Sequence, residues 1–249
     1  RVLQWSVDAL FEPGNIERLE RNLPVVDASL VSTAGQALGP LSRPGKRLGF
    51  LPNPVDFSIE RGENHLSPDL PFDLFYACGN PADLREVGGK AWNMDAFMTA
   101  LLAALPAIRP KLAGLLGHKG LGGAAYQAAL ESAAIGLNIS RRSDQFLYSS
   151  DRLAHLAGNG LAVMIERSTG YDQLFSDDEM VFFSSFDEVV AAIDRLARDP
   201  AHRMAVAAAG RARYHDLFNE RRIAQYALDV ALDRLDPAAY PWPTLYAPA

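Results

Sequence analysis

A strand, a short helix and a second strand, packed into residues 135–171, constrain what this chain can fold into more than any other stretch. Ile135-Gly-Leu-Asn-Ile-Ser140 and Leu161-Ala-Val-Met-Ile165 read as buried strands, and both deliver polar residues where they end. Between them Ser149-Ser-Asp-Arg152 opens a helix, with Asp151 as its expected N-cap. Gly158-Asn-Gly160 stops that helix, Gly158 as a left-handed C-cap and Gly160 as the tight turn into the strand. In an open parallel sheet the ligand crevice lies outside the carboxyl ends of the strands, so residues 138–142 and 166–171 should flank one crevice. The amides of the intervening helix, with Arg152 beside them, would face an anion held there.

Composition narrows the class without deciding it. Hydrophobic residues make up 49% of the 249 and charged ones 22%, which suits a globular chain with a sizeable core. A net charge of -6 argues against nucleic acid or an anionic membrane as the main partner. The arginines between positions 195 and 222 fit a solvated helical face more simply than a docking patch. Cys78 is the lone cysteine, so a disulfide framework is excluded, and its apolar neighbours predict a buried, inert thiol. With no apolar span of transmembrane length and no leader, the expected address is the cytoplasm, with the membrane surface as the alternative. The chain opens on Arg1 directly before a strand-like run, from which a missing native beginning is expected.

Read in order, strands are expected at residues 2–7, 28–32 and 47–51, with helices at 16–22 and 36–41 between them. This is half of a doubly wound lobe. The proline-rich Leu51-Pro-Asn-Pro-Val-Asp56 and the polar residues after it read as a linker. Five further strands, near 72–78, 111–116, 135–140, 161–165 and 180–183, complete a second Rossmann-like α/β lobe with a parallel sheet. Asn93 should cap the helix that carries Met94, Phe97, Met98, Leu101 and Leu102, and Ser185-Phe-Asp-Glu188 is a capping box. The resulting domain plan is 1–56 for a partial first lobe, 57–71 for the linker, 72–236 for the complete lobe and 237–249 for an irregular tail.

Arg141, Arg142 and Arg152 together can neutralise a diphosphate, because guanidinium forks match phosphate oxygens bidentately; the alternative is an exposed loop. Asn138, Ser140, Tyr148, Ser149, Glu166, Thr169, Gly170 and Tyr171 fall at the same strand ends and are candidate donor-binding residues. His118 and Lys119 follow the second strand of the lobe, where a cation can reach a phosphate or a base can stack, or where a surface pair can simply lie. His155 either bonds a sugar hydroxyl or sits within helix packing. Trp5, Asp8 and Asn15 are the first-lobe side chains placed to reach a cleft. Gly120-Leu-Gly-Gly-Ala-Ala125 matches a dinucleotide fingerprint, and Arg141 and Arg142 would then suit the 2′-phosphate of NADP. That defines an alternative function, an NADP-dependent oxidoreductase. Among catalytic and metal motifs, HExxH, P-loop, G-x-S-x-G and metal-ligand clusters are all missing from the sequence, and no metal is expected.

Ser149-Ser-Asp-Arg-Leu-Ala-His-Leu-Ala-Gly-Asn-Gly-Leu-Ala-Val-Met164 resembles the "sxRxfEalacG-vlt" signature of group 1 glycosyltransferases of the GT-B fold. Gly170-Tyr-Asp-Gln-Leu-Phe175, Phe186-Asp-Glu-Val-Val190, Asp199-Pro-Ala-His-Arg203 and Leu51-Pro-Asn-Pro-Val-Asp56 are similar to further family segments in the family's order. The likeness spans roughly residues 50–232. It departs from the family at His155, where the signature carries glutamate, with Glu166 as a candidate replacement, and in the first lobe, where about three strands stand for a full domain. The resemblance implies sugar transfer from a nucleotide diphosphate sugar to a glycan, lipid-linked or other acceptor, as in polysaccharide biosynthesis. It also implies a donor held by the second lobe, no cofactor, and Arg141, Arg142 and Arg152 as electrostatic catalysts. A bare donor-binding module is the remaining alternative.

Overall fold

The computed structural model describes residues 1–7 and 9–247. Three parallel strands, β1 (Leu3–Ser6), β2 (Ala28–Val31) and β3 (Arg47–Phe50), form a small sheet in that order. Helix α1 (Pro13–Asn22) connects the first two strands. The segment expected to be helical near 36–41 is a 3-10 turn, Gly35–Leu41, because Pro40 lies inside it and removes a donor.

A second, five-stranded parallel sheet contains β4 (Phe72–Ala77), β7 (Pro110–Ala113), β8 (Ala133–Asn138), β9 (Ala162–Glu166) and β10 (Val181–Phe183), in the order β10-β9-β8-β4-β7. Every residue of β8 and β9 is buried, as a sheet covered on both faces requires. One face packs Leu74, Tyr76, Leu137 and Met164 against Met94, Phe97 and Met98 of α2 (Met94–Ala104) and Val189 and Ile193 of α5 (Phe186–Arg198). The other packs Phe75, Val163 and Ile165 against α3 (Gly123–Glu131), α4 (Asp151–Gly158), α6 (Pro200–Phe218) and α7 (Glu220–Leu232). Leu30 and Phe50 of the small sheet join that same cluster, so one apolar core is shared by both sheets.

The helix signals act as the chemistry demands, with two corrections. Asn93 accepts from the amides of Asp95 and Ala96, and Ser185 accepts from that of Glu188. At α4 the cap is Ser150, whose hydroxyl accepts from the amide of Leu153; Asp151 is already the first helical residue. Gly158 is likewise the last helical residue and does not have a left-handed backbone. A Cβ there would lie 2.6 Å from Cγ of Glu60, so its small size lets the linker approach α4. Gly160 does take the turn, at φ +76°.

Two elements have no counterpart among the expected ones. An antiparallel hairpin, β5 (Arg85–Val87) and β6 (Lys90–Trp92), turns at Gly88 and Gly89, both at positive φ. That turn geometry admits glycine and few other residues. The segment after α7 is not wholly irregular. The Phe50 amide donates to the Thr244 carbonyl (2.9 Å) and the Tyr246 amide to that of Leu48 (2.7 Å), so residues 244–246 lie antiparallel along the free edge of β3. Among the described residues no helix is long and apolar enough to cross a membrane.

Candidate functional site

A cleft of about 260 Å³ lies between the two sheets, past the carboxyl ends of β1 and β8. Ala9, Phe11, Glu12 and Asn15 form one wall, from the loop after β1 and the start of α1. Arg85, Ile139, Ser140, Arg141, Tyr148, Ser150 and Arg152 form the other.

Two guanidiniums dominate the second wall. Arg85, only 7% exposed, donates to the Ile139 carbonyl at 3.0 Å and to Sγ of Cys78 at 3.6 Å, while its buried Nε has no partner. Arg152 donates to the same Ile139 carbonyl at 3.0 Å and lies 5.5 Å from the Tyr76 ring centre. Neither has a carboxylate within ion-pair distance among the described residues, whereas the arginines nearby do. Arg85 is a buried cation without a counter-ion, a costly arrangement that Arg152, half-buried beside it, does not relieve, and guanidiniums so placed suit an anion. The first turn of α4, beside Ser150 on the same wall, adds amide dipoles of the matching sign.

The arginines expected to act with Arg152 are engaged elsewhere. Arg141 lines the cleft but is paired with Glu12 and, at 2.7 Å, with Asp83. Arg142 lies outside the lining, paired with Asp144 and 5.9 Å over the Phe11 ring. Arg85, which the sequence reading did not single out, lines the cleft beside Arg152. It was missed because nothing in the sequence marks a lone arginine as buried, although Gly88-Gly89 between short β-prone runs was a legible hairpin signal.

Of the polar candidates, Ser140 and Tyr148 line the cleft, with Tyr148 edge-on to Phe11 at 6.5 Å. Asn138 is buried at the end of β8 with its side-chain oxygen unpartnered. Ser149 is drawn away. Its hydroxyl accepts from the Asn53 amide at 2.8 Å and its own amide donates to Ser32, tying the linker to both sheets. Glu166 is turned under the hairpin, where the Gly88 amide donates to it at 3.1 Å. Burial is the main cause that raises its pKa, and repulsion from Glu86 adds to it, against hydrogen bonds from Gly88, Ser168 and Ser143.

Thr169, Gly170 and Tyr171 serve the loop itself. The Thr169 hydroxyl donates to the Glu166 carbonyl at 2.6 Å, Gly170 packs on Phe146 at φ +81°, and the fully buried Tyr171 hydroxyl donates to the Leu147 carbonyl at 3.4 Å. His118 and Lys119 are exposed beyond β7, the edge strand, and do not line the cleft. His155 also stays outside the lining; its Nδ1 lies 2.8 Å from the buried Glu60 carboxylate and its ring stands edge-on to Tyr126. Of the first-lobe candidates Asn15 reaches the cleft and Trp5 does not, while Asp8 lies outside the described residues. The described residues hold no cluster of three or more His, Cys, Asp or Glu side chains that could bind a metal.

A family model described as glycosyl transferase-like matches residues 85–229, more than half of the chain, beginning at Arg85 and including Arg152. The chain belongs to that family. No curated protein matches it in sequence. Among solved structures it is similar to sucrose-phosphate synthase from Thermosynechococcus elongatus, at 15% identity over 93% of this chain and 67% of that one, with a TM-score of 0.60. An alpha-glucosyltransferase in complex with UDP-glucose and DNA containing an abasic site matches at 10% identity over 93% and 72% of the two chains, also at 0.60. A glycosyltransferase involved in avilamycin A biosynthesis matches at 16% identity over 87% and 77%, at 0.51. The likeness is one of fold, the GT-B arrangement of Rossmann-like parallel sheets.

Membership in a glycosyltransferase family replaces the oxidoreductase alternative, and the topology agrees. In a dinucleotide fold the glycine-bearing strand pairs with the one that ends near the ribose. Here β7, which precedes Gly120 and Gly122, pairs with β4 and not with β8. Arg141 and Arg142, needed for a 2′-phosphate, are held by carboxylates.

Proposed function

We propose that the protein transfers a sugar from a nucleotide diphosphate sugar to a carbohydrate or glycolipid hydroxyl, with the donor diphosphate held between Arg85 and Arg152. The observation that carries this reading is the pair of uncompensated guanidiniums donating to one carbonyl on the cleft wall. As the glycosidic bond breaks, negative charge grows on the departing diphosphate. Cations and helix-terminal amides already in place stabilise that charge more in the transition state than in the ground state. Two fixed cations at the leaving group also support a metal-independent reaction without a cofactor. The unpartnered oxygen of Asn138 supports a donor contact from the end of β8. A cytoplasmic role at a membrane surface, in polysaccharide assembly, is the proposed setting.

Calorimetric titration with UDP, GDP, ADP and CMP in the presence of EDTA tests the reading, followed by transfer assays with the hexose derivatives of whichever nucleotide binds. Binding and turnover in EDTA support it. Binding that requires a divalent ion would contradict the metal-independent part, and binding of none of the nucleotides would contradict the whole.

A further inference from the structure

Residues 53–64, part of the connection from the small sheet to the five-stranded one, are tied to both ends of α4. At its start the Asn53 amide donates to the Ser149 hydroxyl at 2.8 Å, and the Asn53 side-chain nitrogen donates to the Ser149 carbonyl at 3.1 Å. Ser149 directly precedes Ser150, the N-cap of the helix that carries Arg152 on the cleft wall. At its far end the Gly62 amide donates to Oδ1 of Asn159 at 2.8 Å, and Glu60 packs on Gly158. The placement of α4, and with it of Arg152 and the first-turn amides, therefore depends on how this linker is held.

Three ionisable side chains hold it. His215 and Arg211 lie one turn apart on α6 and both bond the backbone of Gly158, Arg211 through Nε at 2.9 Å. Phe57 of the linker stacks on the His215 ring at 3.8 Å, and the Arg211 guanidinium lies 5.2 Å from the centre of the Phe57 ring. His65 fills the turn after α4. A Cβ at Gly160 would lie 2.5 Å from Nδ1 of His65, which is buried without a partner, and 3.2 Å from Cδ of Arg211. Both histidines thus flank one arginine. The carboxylates facing them are Asp56, Glu60 and Glu63 of the linker and Glu220 of α7, with Arg221 beside Asp56 as a further cation. Glu60 has both oxygens occupied, by His155 and by the Asp56 amide, and Asp56 accepts from the Ser58 amide.

We propose that His65 and His215 form an acid-sensitive catch on α4: neutral, they pack the linker against α4 and α6, and protonated they release it, which loosens the diphosphate wall and weakens donor binding. The effect on the donor rests on the reading that Arg152 helps hold its diphosphate. Proton uptake by either histidine sets a second cation beside Arg211 at a site the linker shields from water. Burial and then Arg211 lower the pKa of both, against Glu63 at His65 and against the Gly158 backbone, Glu60 and Glu220 at His215. A histidine depressed in the closed form stabilises that form above the open-form value of about 6.5, and the contribution is lost as pH falls through the closed-form value. The catch is shut near neutral pH and opens in acid. Each histidine shifts the opening equilibrium by up to about 10-fold per pH unit between those two values.

Hydrogen exchange, corrected for the intrinsic effect of pH, reads the catch with no ligand present, and calorimetry with UDP, GDP and ADP reads its effect on the donor wall. Between about pH 7.5 and about pH 5.5, protection of amides in residues 60–66 and in α4 should fall by about 10-fold or more in the wild type. The double variant of His65→Gln and His215→Phe keeps the bulk of both side chains and the stack on Phe57 but takes up neither proton. Its protection should fall by less than about threefold over the same range. Wild-type affinity for whichever nucleoside diphosphate binds should fall by about fivefold more than that of the variant, the titration of the ligand's own phosphate being common to both. The single variants, each expected to remove part of the fall, serve if the double variant does not fold. Unchanged wild-type protection, or equal falls in wild type and variants, would overturn the proposal. A fall in protection with equal losses of affinity would overturn the link to the donor wall. A protein that binds none of the nucleoside diphosphates at either pH would overturn the reading of the diphosphate site, while exchange still judges the catch.

Discussion

Glu60, from the connection between the sheets, sets a carboxylate oxygen 2.8 Å from Nδ1 of His155 on α4. Glu60 is 4% exposed at its side chain and His155 32%, and the second oxygen of Glu60 accepts from the Asp56 amide. Position 155 is where the signature this chain resembles carries glutamate, so a carboxylate is still present there but arrives from another segment. Replacing His155 by glutamate would press two carboxylates together in a buried place. The new pair would have a folded-state pKa raised above its unfolded value, so the penalty is fully present above that pKa and is lost as pH falls. We expect His155→Glu to cost about 1–3 kcal/mol near neutral pH, with relief in acid and in the double variant with Glu60→Gln. Urea midpoints at both pH values check this.

The same approach of the linker makes Gly158 sensitive to size. A Cβ at Gly158 would meet Cγ of Glu60 at 2.6 Å and a methyl of Val55 at 3.0 Å. Gly158→Ala should therefore destabilise by about 1–3 kcal/mol through overpacking, although alanine is the better helix former. A urea midpoint equal to or above that of the wild type would contradict the packing account.

How much was legible followed from which residues act through local rules. The strands and the caps at Asn93 and Ser185 were readable because period, burial and capping are local properties. The place of Arg152 on the cleft wall was readable because it sits in a helix opening at a strand end. Arg85 was not, since its burial depends on a hairpin laid over the ends of other strands. Arg141 and Arg142 misled for the related reason that Glu12 and Asp83, distant in sequence, and Asp144 beside them neutralise both. Charge pairing across a fold has no signature along the chain. The tail's pairing with β3 was invisible because two backbone hydrogen bonds need no side-chain pattern.

Linker packing also predicts a pH response. His215 stacks on Phe57 with ring centres 3.8 Å apart. Burial first and then Arg211 lower its pKa, against a hydrogen bond with the Gly158 backbone and the charges of Glu60 and Glu220, and burial and Arg211 likewise lower that of His65, against Glu63. A histidine depressed in the folded state contributes stability that is present above its unfolded pKa of about 6.5 and lost as pH falls through the folded value. Melting temperature should rise between about pH 5 and about pH 7, and His215→Phe should flatten part of that rise. An unchanged slope in the variant would show that His215 is not responsible.

Trp242 anchors the C-terminal segment. It is 3% exposed and contacts the rings of Phe218, Tyr226 and Tyr240 at 5.4, 5.8 and 5.1 Å. Trp242→Ala should cost about 3–5 kcal/mol. It should also loosen the strand paired with β3 and expose a sheet edge, so association should become concentration-dependent. Thermal unfolding together with sedimentation at several concentrations reads both effects.

The central claim is that Arg85 and Arg152 form the diphosphate site. Calorimetry of the cognate nucleoside diphosphate against wild type, Arg85→Lys, Arg152→Ala and Arg234→Ala tests it most directly. Arg234 serves as the control because it lies beyond α7 and its side chain is exposed. The account predicts that Arg152→Ala weakens binding by about 1.5–3 kcal/mol, the worth of a charge-assisted hydrogen bond. It predicts a loss in Arg85→Lys as well, where the planar fork is replaced by a point charge, and no change in Arg234→Ala. Equal losses in all three variants, or full affinity in Arg152→Ala, would contradict it.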